Sequence, residues 1–242
     1  MALRQLSVAE PDSDSNPQET HWIPLSDLMT GLMVIFLLIA VMYMMKVEAD
    51  ADRIKTVAIA YSEIRDALYE DLNAEFQSNL GAWKAQIIKS DLTIRFNEPE
   101  ILFATGSSEL KPEFKQILSD FFPRYVHILT SPKYRDAISE IRIEGHTSSD
   151  WTLQTSPEDA YFHNMELSQA RTRTTLDYLL KIPAVAADRP WLIRYLTANG
   201  LSSSRPILDA DHIEDPQRSR RVEFRVRTDA EVRIAKILEI SR

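Results

Sequence analysis

Arg221-Val222-Glu223-Phe224-Arg225-Val226-Arg227 alternates without a break between charged and apolar side chains. Successive residues of an extended strand point to opposite faces. Val222, Phe224 and Val226 therefore share one face, and the four charged residues share the other. Upstream, Leu92, Ile94 and Phe96 alternate in the same way, as do Ile141 and Ile143 in a strand ending at Gly145. Ile193, Tyr195 and Thr197 predict a further strand, with Gly200 marking a tight turn after it. Helices fall between and after these runs: Pro112 to Leu129, Leu167 to Leu180, and Asp229 to Ile240. Pro112 suits a first helical turn, and Pro123 is a point where the first helix kinks or splits. Interleaved strands and helices predict an α+β fold with helices packed on a mixed sheet.

The bulk numbers set limits. The chain has 242 residues, 44% of them apolar, which fits one ordinary domain with appendages. Its formal charge is −8, so it lacks the broad positive field that nucleic acid demands, and no nucleic-acid partner is expected. It has no cysteine. That excludes a structural disulfide, a thiolate nucleophile, a cysteine-based metal site and a cysteine-linked lipid anchor. His127, His163 and His212 share no metal-ligand spacing, and nothing reads as a nucleophile–base pair or a phosphate loop. The expectation is a non-enzyme with no metal and no cofactor.

Farther toward the N-terminus, Ile23 to Met45 is almost entirely apolar. As a helix it extends roughly 34 Å, enough to span a hydrocarbon core. Trp22 and Tyr43 stand near its ends, where aromatic rings favour the interface. A cleaved signal peptide is the alternative; it is disfavoured by the acidic leader and by the lack of a small-x-small site after the run. Met1 to His21 is polar, with Glu10, Asp12, Asp14 and Glu19, and is expected to be disordered. Arg4 precedes the span while Lys46, Arg53 and Lys55 follow it, a bias that leans toward an outside N-terminus. Between Lys46 and Asn79 there is no Gly or Pro. Val47, Ala51, Ile54, Ala58, Tyr61, Ile64, Leu68, Leu72 and Phe76 form one helical stripe there, which needs either a second copy or the chain's own C-terminal domain to cover it.

Asp27 lies one turn inside the apolar run. A central membrane aspartate costs about 2.5–3.5 kcal/mol on insertion scales, and the Leu, Ile, Val and Phe residues of the span return about 0.3–0.6 kcal/mol each, so the helix inserts. Asp27, Thr30, Gly31 and Val34 share one small, polar helix face, suited to a neighbouring helix or a hydrated path. Two roles stay open: Ser26 or Asp27 caps the helix after Pro24, or Asp27 carries a proton or other cation.

Ser26-Asp27-Leu28-Met29-Thr30-Gly31-Leu32-Met33 resembles the membrane segment of the B subunits of ion-driven rotary stators, such as flagellar MotB. The resemblance implies an ion-carrying Asp27 with Thr30 beside it. It also implies a cytoplasmic N-terminus and two B chains inside a ring of five multi-span A chains. Four further blocks resemble the peptidoglycan-binding OmpA-like domains: Phe103 to Glu113, Gly145-His146-Thr147, the Asn164, Leu167, Ser168 and Arg171 pattern, and Arg220-Arg221-Val222-Glu223-Phe224. This implies that Arg171 grips the diaminopimelate carboxylate, with Asn164, Leu167 and His163 beside it. Where that family has an aspartate for the ligand's ammonium, this chain has Ser148; Asp150 is the nearest substitute, and Trp151 to Phe162 is an insertion. Arg220 and Arg221 are expected to brace the sheet and loops.

The whole chain resembles the B subunits of Zorya anti-phage defence systems, through the short acidic tail, the Trp22-to-Met29 segment and Ser148. The expected layout is a cytoplasmic tail (1–21), a transmembrane helix (22–45), a helical linker (46–90), a periplasmic OmpA-like domain (91–228) and a C-terminal helix (229–242). The implied protein is a single-pass inner-membrane subunit of a proton- or cation-driven motor anchored to peptidoglycan. The alternatives are a flagellar or other MotB-type stator subunit, or a wall-anchoring membrane protein without ion transport.

Overall fold

The computed structural model describes residues 19–97, 102–152 and 154–228. The expected N-terminal tail before Glu19 and the expected helix after Asp229 lie outside the described residues. The chain divides into two compact units, Met1–Arg53 and Ile54–Arg242. Helix α1 (Glu19–Leu80) contributes to both. In the first unit the apolar side chains from Leu25 to Val47, Leu28, Met33, Phe36 and Met44 among them, are exposed. Among the described residues Leu25–Thr56 is the stretch long and apolar enough to cross a membrane. A helix apolar on every side suits lipid rather than water.

The second unit is built on one five-stranded sheet. Its strands are β1 (Ala85–Ile88), β2 (Thr93–Phe96), β3 (Ile138–His146), β4 (Leu196–Gly200) and β5 (Arg221–Thr228), in the order β1-β2-β5-β3-β4. Only β3 and β4 are parallel, so the sheet is mixed, as the interleaving predicted. Helices α2 (Pro112–Leu129) and α3 (Pro157–Lys181) follow β2 and β3, and α4 (Arg189–Tyr195) and α5 (Pro216–Ser219) are short.

The alternation in β5 decides the layers. Val222, Phe224 and Val226 are buried, and Phe224 packs on Phe121 of α2 at 5.1 Å between ring centroids. Phe121 also meets Phe96 at 5.2 Å and Phe76 at 5.3 Å. Each such aromatic pair adds about 0.5–1.5 kcal/mol beyond its buried area. Pro112 opens α2 as expected, and the helix runs past Pro123 unbroken.

The structure decides an alternative that the sequence left open, and two elements differ from the sequence reading. Leu68, Leu72 and Phe76 are fully buried in the domain core, so the last turns of the apolar stripe are covered by the chain's own domain. Each such residue contributes about 1.5–3 kcal/mol by burial. The domain's packing thus begins inside α1, and β1, read within the linker, is its edge strand. Of the expected strand through Ile193, Tyr195 and Thr197, Thr197 lies in β4, whereas Ile193 and Tyr195 belong to α4. Pro190 sits in its first turn and Trp191 and Leu192 are buried, while Ile193 points to solvent, so the alternation there was coincidental. Finally, α3 starts at Pro157, capped by Ser156 Oγ accepting from the Asp159 N–H; the insertion is partly helix.

Gly200 closes β4 opposite Gly145 of β3, and the expected turn follows it, with the Ser204 N–H donating to Leu201 O at 3.1 Å. A Cβ on Gly200 would lie 2.3 Å from the Gln169 backbone nitrogen. A Cβ on Gly145 would lie 2.7 Å from Thr172 Cγ2. The glycine pair lets α3 lie directly on the sheet at the level of Arg171.

Candidate functional site

A cleft of about 490 Å³ opens where four segments meet. Thr147 and Ser148 follow the end of β3, with Asp150, Trp151 and Thr152 beyond them. Asn164, Leu167 and Arg171 come from one face of α3, spaced three and four residues apart. Phe103, Thr105 and Gly106 come from the loop before α2, and Arg220 precedes β5. The fold therefore brings together five residues that the sequence singled out: Ser148, Asp150, Asn164, Leu167 and Arg171. His163 is exposed and stacks on Trp151 at 5.1 Å, one layer behind the lining.

Arg171 is half-buried and fixed. Its Nε donates to Ser107 O at 2.8 Å and its Nη2 to Ala104 O at 3.2 Å, and its guanidinium lies 4.9 Å over the Phe103 ring. Burial, together with the charge of Arg220, pushes its pKa down to about 10, so it stays protonated at neutral pH. Among the described residues neither Arg171 nor Arg220 has a carboxylate partner. Arg220 Nη1 donates to Ser148 Oγ at 3.4 Å. Ser148 thus stands against Arg220 as a neutral acceptor where an aspartate would have neutralised it. Two cations without counter-charges in a cleft attract an anion, and a guanidinium takes a carboxylate through two parallel hydrogen bonds.

The rest of the wall is held by backbone contacts. Asn164, itself buried, donates from Nδ2 to Asp150 O at 3.2 Å. The Ser149 N–H donates to Glu214 Oε1 at 3.1 Å, and the Thr147 N–H to Ser202 O at 3.0 Å. Asp150 is the carboxylate of the lining and is exposed.

The sequence reading missed Phe103, Trp151 and Arg220 as lining residues. Arg221 braces the sheet as expected, donating to Glu223 Oε1 at 2.6 Å. Arg220 stands before the first residue of β5, lines the cleft and reaches the loop after β3 through Ser148. The adjacent arginine pair was a visible signal, but which of the two enters the ladder is decided by strand register.

Glu144, His146 and Glu223 are the described residues whose atoms cluster as metal ligands would, and all three are buried. Four guanidiniums already serve the two carboxylates: Arg95 and Arg221 at Glu223, Arg205 and Arg225 at Glu144. A divalent cation would face that positive charge, so the donor set does not fit a metal ion. The group is an ion network of the sheet's polar face.

In the membrane helix, α1 begins at Glu19. Asp27 is therefore more than two turns inside it, and neither Ser26 nor Asp27 is an N-cap. Thr30 Oγ1 donates to Ser26 O at 2.8 Å.

Residues 102–220 match the model of the OmpA family. Over 236 residues, 98% of this chain and 97% of the relative, the sequence is 49% identical to the Zorya protein ZorB of Escherichia coli strain ATCC 8739. Among solved structures, a MotB-like protein from Desulfovibrio vulgaris shares 24% identity at a TM-score of 0.48, covering 69% of this chain and 96% of that one. The cell wall anchor of the T6SS from Pseudomonas aeruginosa shares 22% identity at a TM-score of 0.43, covering 65% and 96%.

Proposed function

The chain belongs to the ZorB family, and from that premise we propose that it is the wall-anchored B subunit of an ion-driven inner-membrane complex in anti-phage defence. The observation that carries the reading is the Arg171–Arg220 cleft, two cations without carboxylate partners on a rigid wall. It suits the carboxylate of a peptidoglycan stem peptide, with Asp150 in reach of an ammonium on the same ligand. Asn164 holds the Asp150 loop in place, Leu167 supplies an apolar contact, and Trp151, backed by His163, closes one side.

In this reading Leu25–Thr56 contains the single membrane span, with the N-terminus cytoplasmic and the Arg171 domain periplasmic. Asp27, inside the span and not a cap, binds and releases a proton or other monovalent cation, assisted by Thr30. One charge moved through 100 mV supplies roughly 2.3 kcal/mol, enough to bias a conformational step. The partners are a second B chain and a ring of five multi-span A subunits, and the role is binding and ion traffic rather than catalysis.

Co-expression with a multi-span A subunit, followed by native mass spectrometry of the membrane complex, tests the assembly. Two B chains per five A chains are expected. A complex holding one B chain would reject the proposal.

A further inference from the structure

A second cleft, of about 360 Å³, lies on the polar face of the sheet and belongs to none of the roles above. Arg65 of α1, Arg142 of β3, Arg205 after β4, and Arg225 and Arg227 of β5 all line it. The sheet register sets Arg142 directly opposite Arg225. Like charges in that relation repel. Among the described residues, Asp91, Glu140 and Glu144 stand against these guanidiniums. Asp91 pairs with Arg225. Glu140 pairs with Arg142 at 2.7 Å and lies 3.7 Å from Arg227. Glu144 lies 3.6 Å from Arg205 and 3.7 Å from Arg225, and is shared with His146. Arg65 has no carboxylate partner among the described residues; its Nη1 donates to Ser90 O at 3.3 Å and its buried Nε makes no hydrogen bond.

Arg65 is left without a described carboxylate partner at one concave spot lined by five guanidiniums, in a chain whose net charge is −8. A cleft lined by one sign of charge focuses the field and concentrates the opposite ion. Guanidinium forks from several directions suit a tetrahedral, doubly charged group better than a planar carboxylate. We propose that this cleft binds a phosphate group, as a second ligand site separate from the Arg171 cleft. The cleft is near the lower end of the size of small-molecule sites, with room for a phosphate and a short substituent. A free phosphate and a phospholipid headgroup present the same chemistry. The proposal does not depend on the wall-binding reading.

The test is thermal unfolding of the full chain in detergent, in phosphate-free buffer at constant ionic strength. Inorganic phosphate and the soluble headgroup glycerophosphoglycerol are titrated separately, with acetate as the control. A saturable rise in Tm is expected with phosphate, with the headgroup, or with both, and the stronger response names the source. The Arg65→Gln/Arg142→Gln double variant should lose the response, and Arg171→Lys should keep it. Arg205 is half-exposed and is one of two arginines beside Glu144, so Arg205→Ala should fold with a lower basal Tm and weaken the phosphate response about tenfold. An equal rise with acetate, no rise with either phosphate compound, or an undiminished response in Arg205→Ala would overturn the proposal.

Discussion

Glu144 of β3 and Glu223 of β5 are direct cross-strand partners, and their side chains are 1% and 2% exposed. Two buried like charges in register are destabilising by themselves. They are tolerated because Arg95 and Arg221 contact Glu223 at 2.7 and 2.6 Å, while Arg205 and Arg225 flank Glu144. His146 Nε2 lies 3.7 Å from Glu144 and 3.6 Å from Glu223.

The pH dependence of stability follows from that pair. Burial pushes both carboxyl pKa values up, but the neighbouring His146 and arginines outweigh it and hold both below the ordinary range. A depressed carboxylate contributes stability that is present above its unfolded pKa and lost as pH falls through the folded one. Tm should therefore hold from neutral pH to roughly pH 4.5 and fall below it. Glu223→Gln should lower stability by about 3 kcal/mol at pH 7 and flatten the acid limb. A variant with the wild-type acid profile would remove Glu223 from the explanation.

Gly200→Ala is expected to destabilise the domain by about 1–3 kcal/mol. The added Cβ meets the Gln169 backbone at 2.3 Å, an atom that cannot rotate away. Because Arg171 follows two residues later on the same helix, ligand capture should fall as well. Chemical denaturation and peptidoglycan pull-down on the same preparation check both parts.

Arg171→Ala should abolish peptidoglycan pull-down and also cost about 1–3 kcal/mol of stability, since Ser107 O and Ala104 O lose their donor. Arg171→Lys keeps the charge and loses the fork. It should retain most of the stability while binding drops at least about tenfold. Normal pull-down by the lysine variant would show that charge alone suffices.

Asp150 and Ser148 separate the two ends of the ligand. Asp150→Ala removes the carboxylate of the lining and should weaken capture about tenfold or more. Ser148→Ala removes one long hydrogen bond from Arg220 and should change capture less. The reverse order, measured in one competition assay, would assign the ammonium contact elsewhere.

Asp27→Asn removes the titratable group and leaves a side chain of nearly the same shape, so insertion should be unchanged. Phage protection should be lost at equal membrane abundance, and Asp27→Glu should give partial or no protection. Wild-type protection by Asp27→Asn would end the ion-carrier proposal.

The sequence alone determined what depends on local pattern. The apolar run from Leu32 to Met45 marks a membrane span because it holds no charged residue to set against water. The Val222, Phe224 and Val226 alternation marks a strand because side chains repeat every second residue. The spacing of Asn164, Leu167 and Arg171 puts them on one face because a helix turns every 3.6 residues. Tertiary structure decided whatever depends on residues far apart in the chain. The Ile193 alternation was overruled because Trp191 and Leu192 had a core to enter and Pro190 could start a helix. The stripe ending at Phe76 left its partner open until Phe121 and the domain core covered it. The need for Gly200 arose from the closeness of Gln169, and Arg220 became a cleft residue because β5 takes up its ladder at Arg221. Two charges that are 79 residues apart in sequence, Glu144 and Glu223, became neighbours only through strand register. Periodicity is written in the chain, whereas which surfaces meet depends on how the whole chain closes on itself.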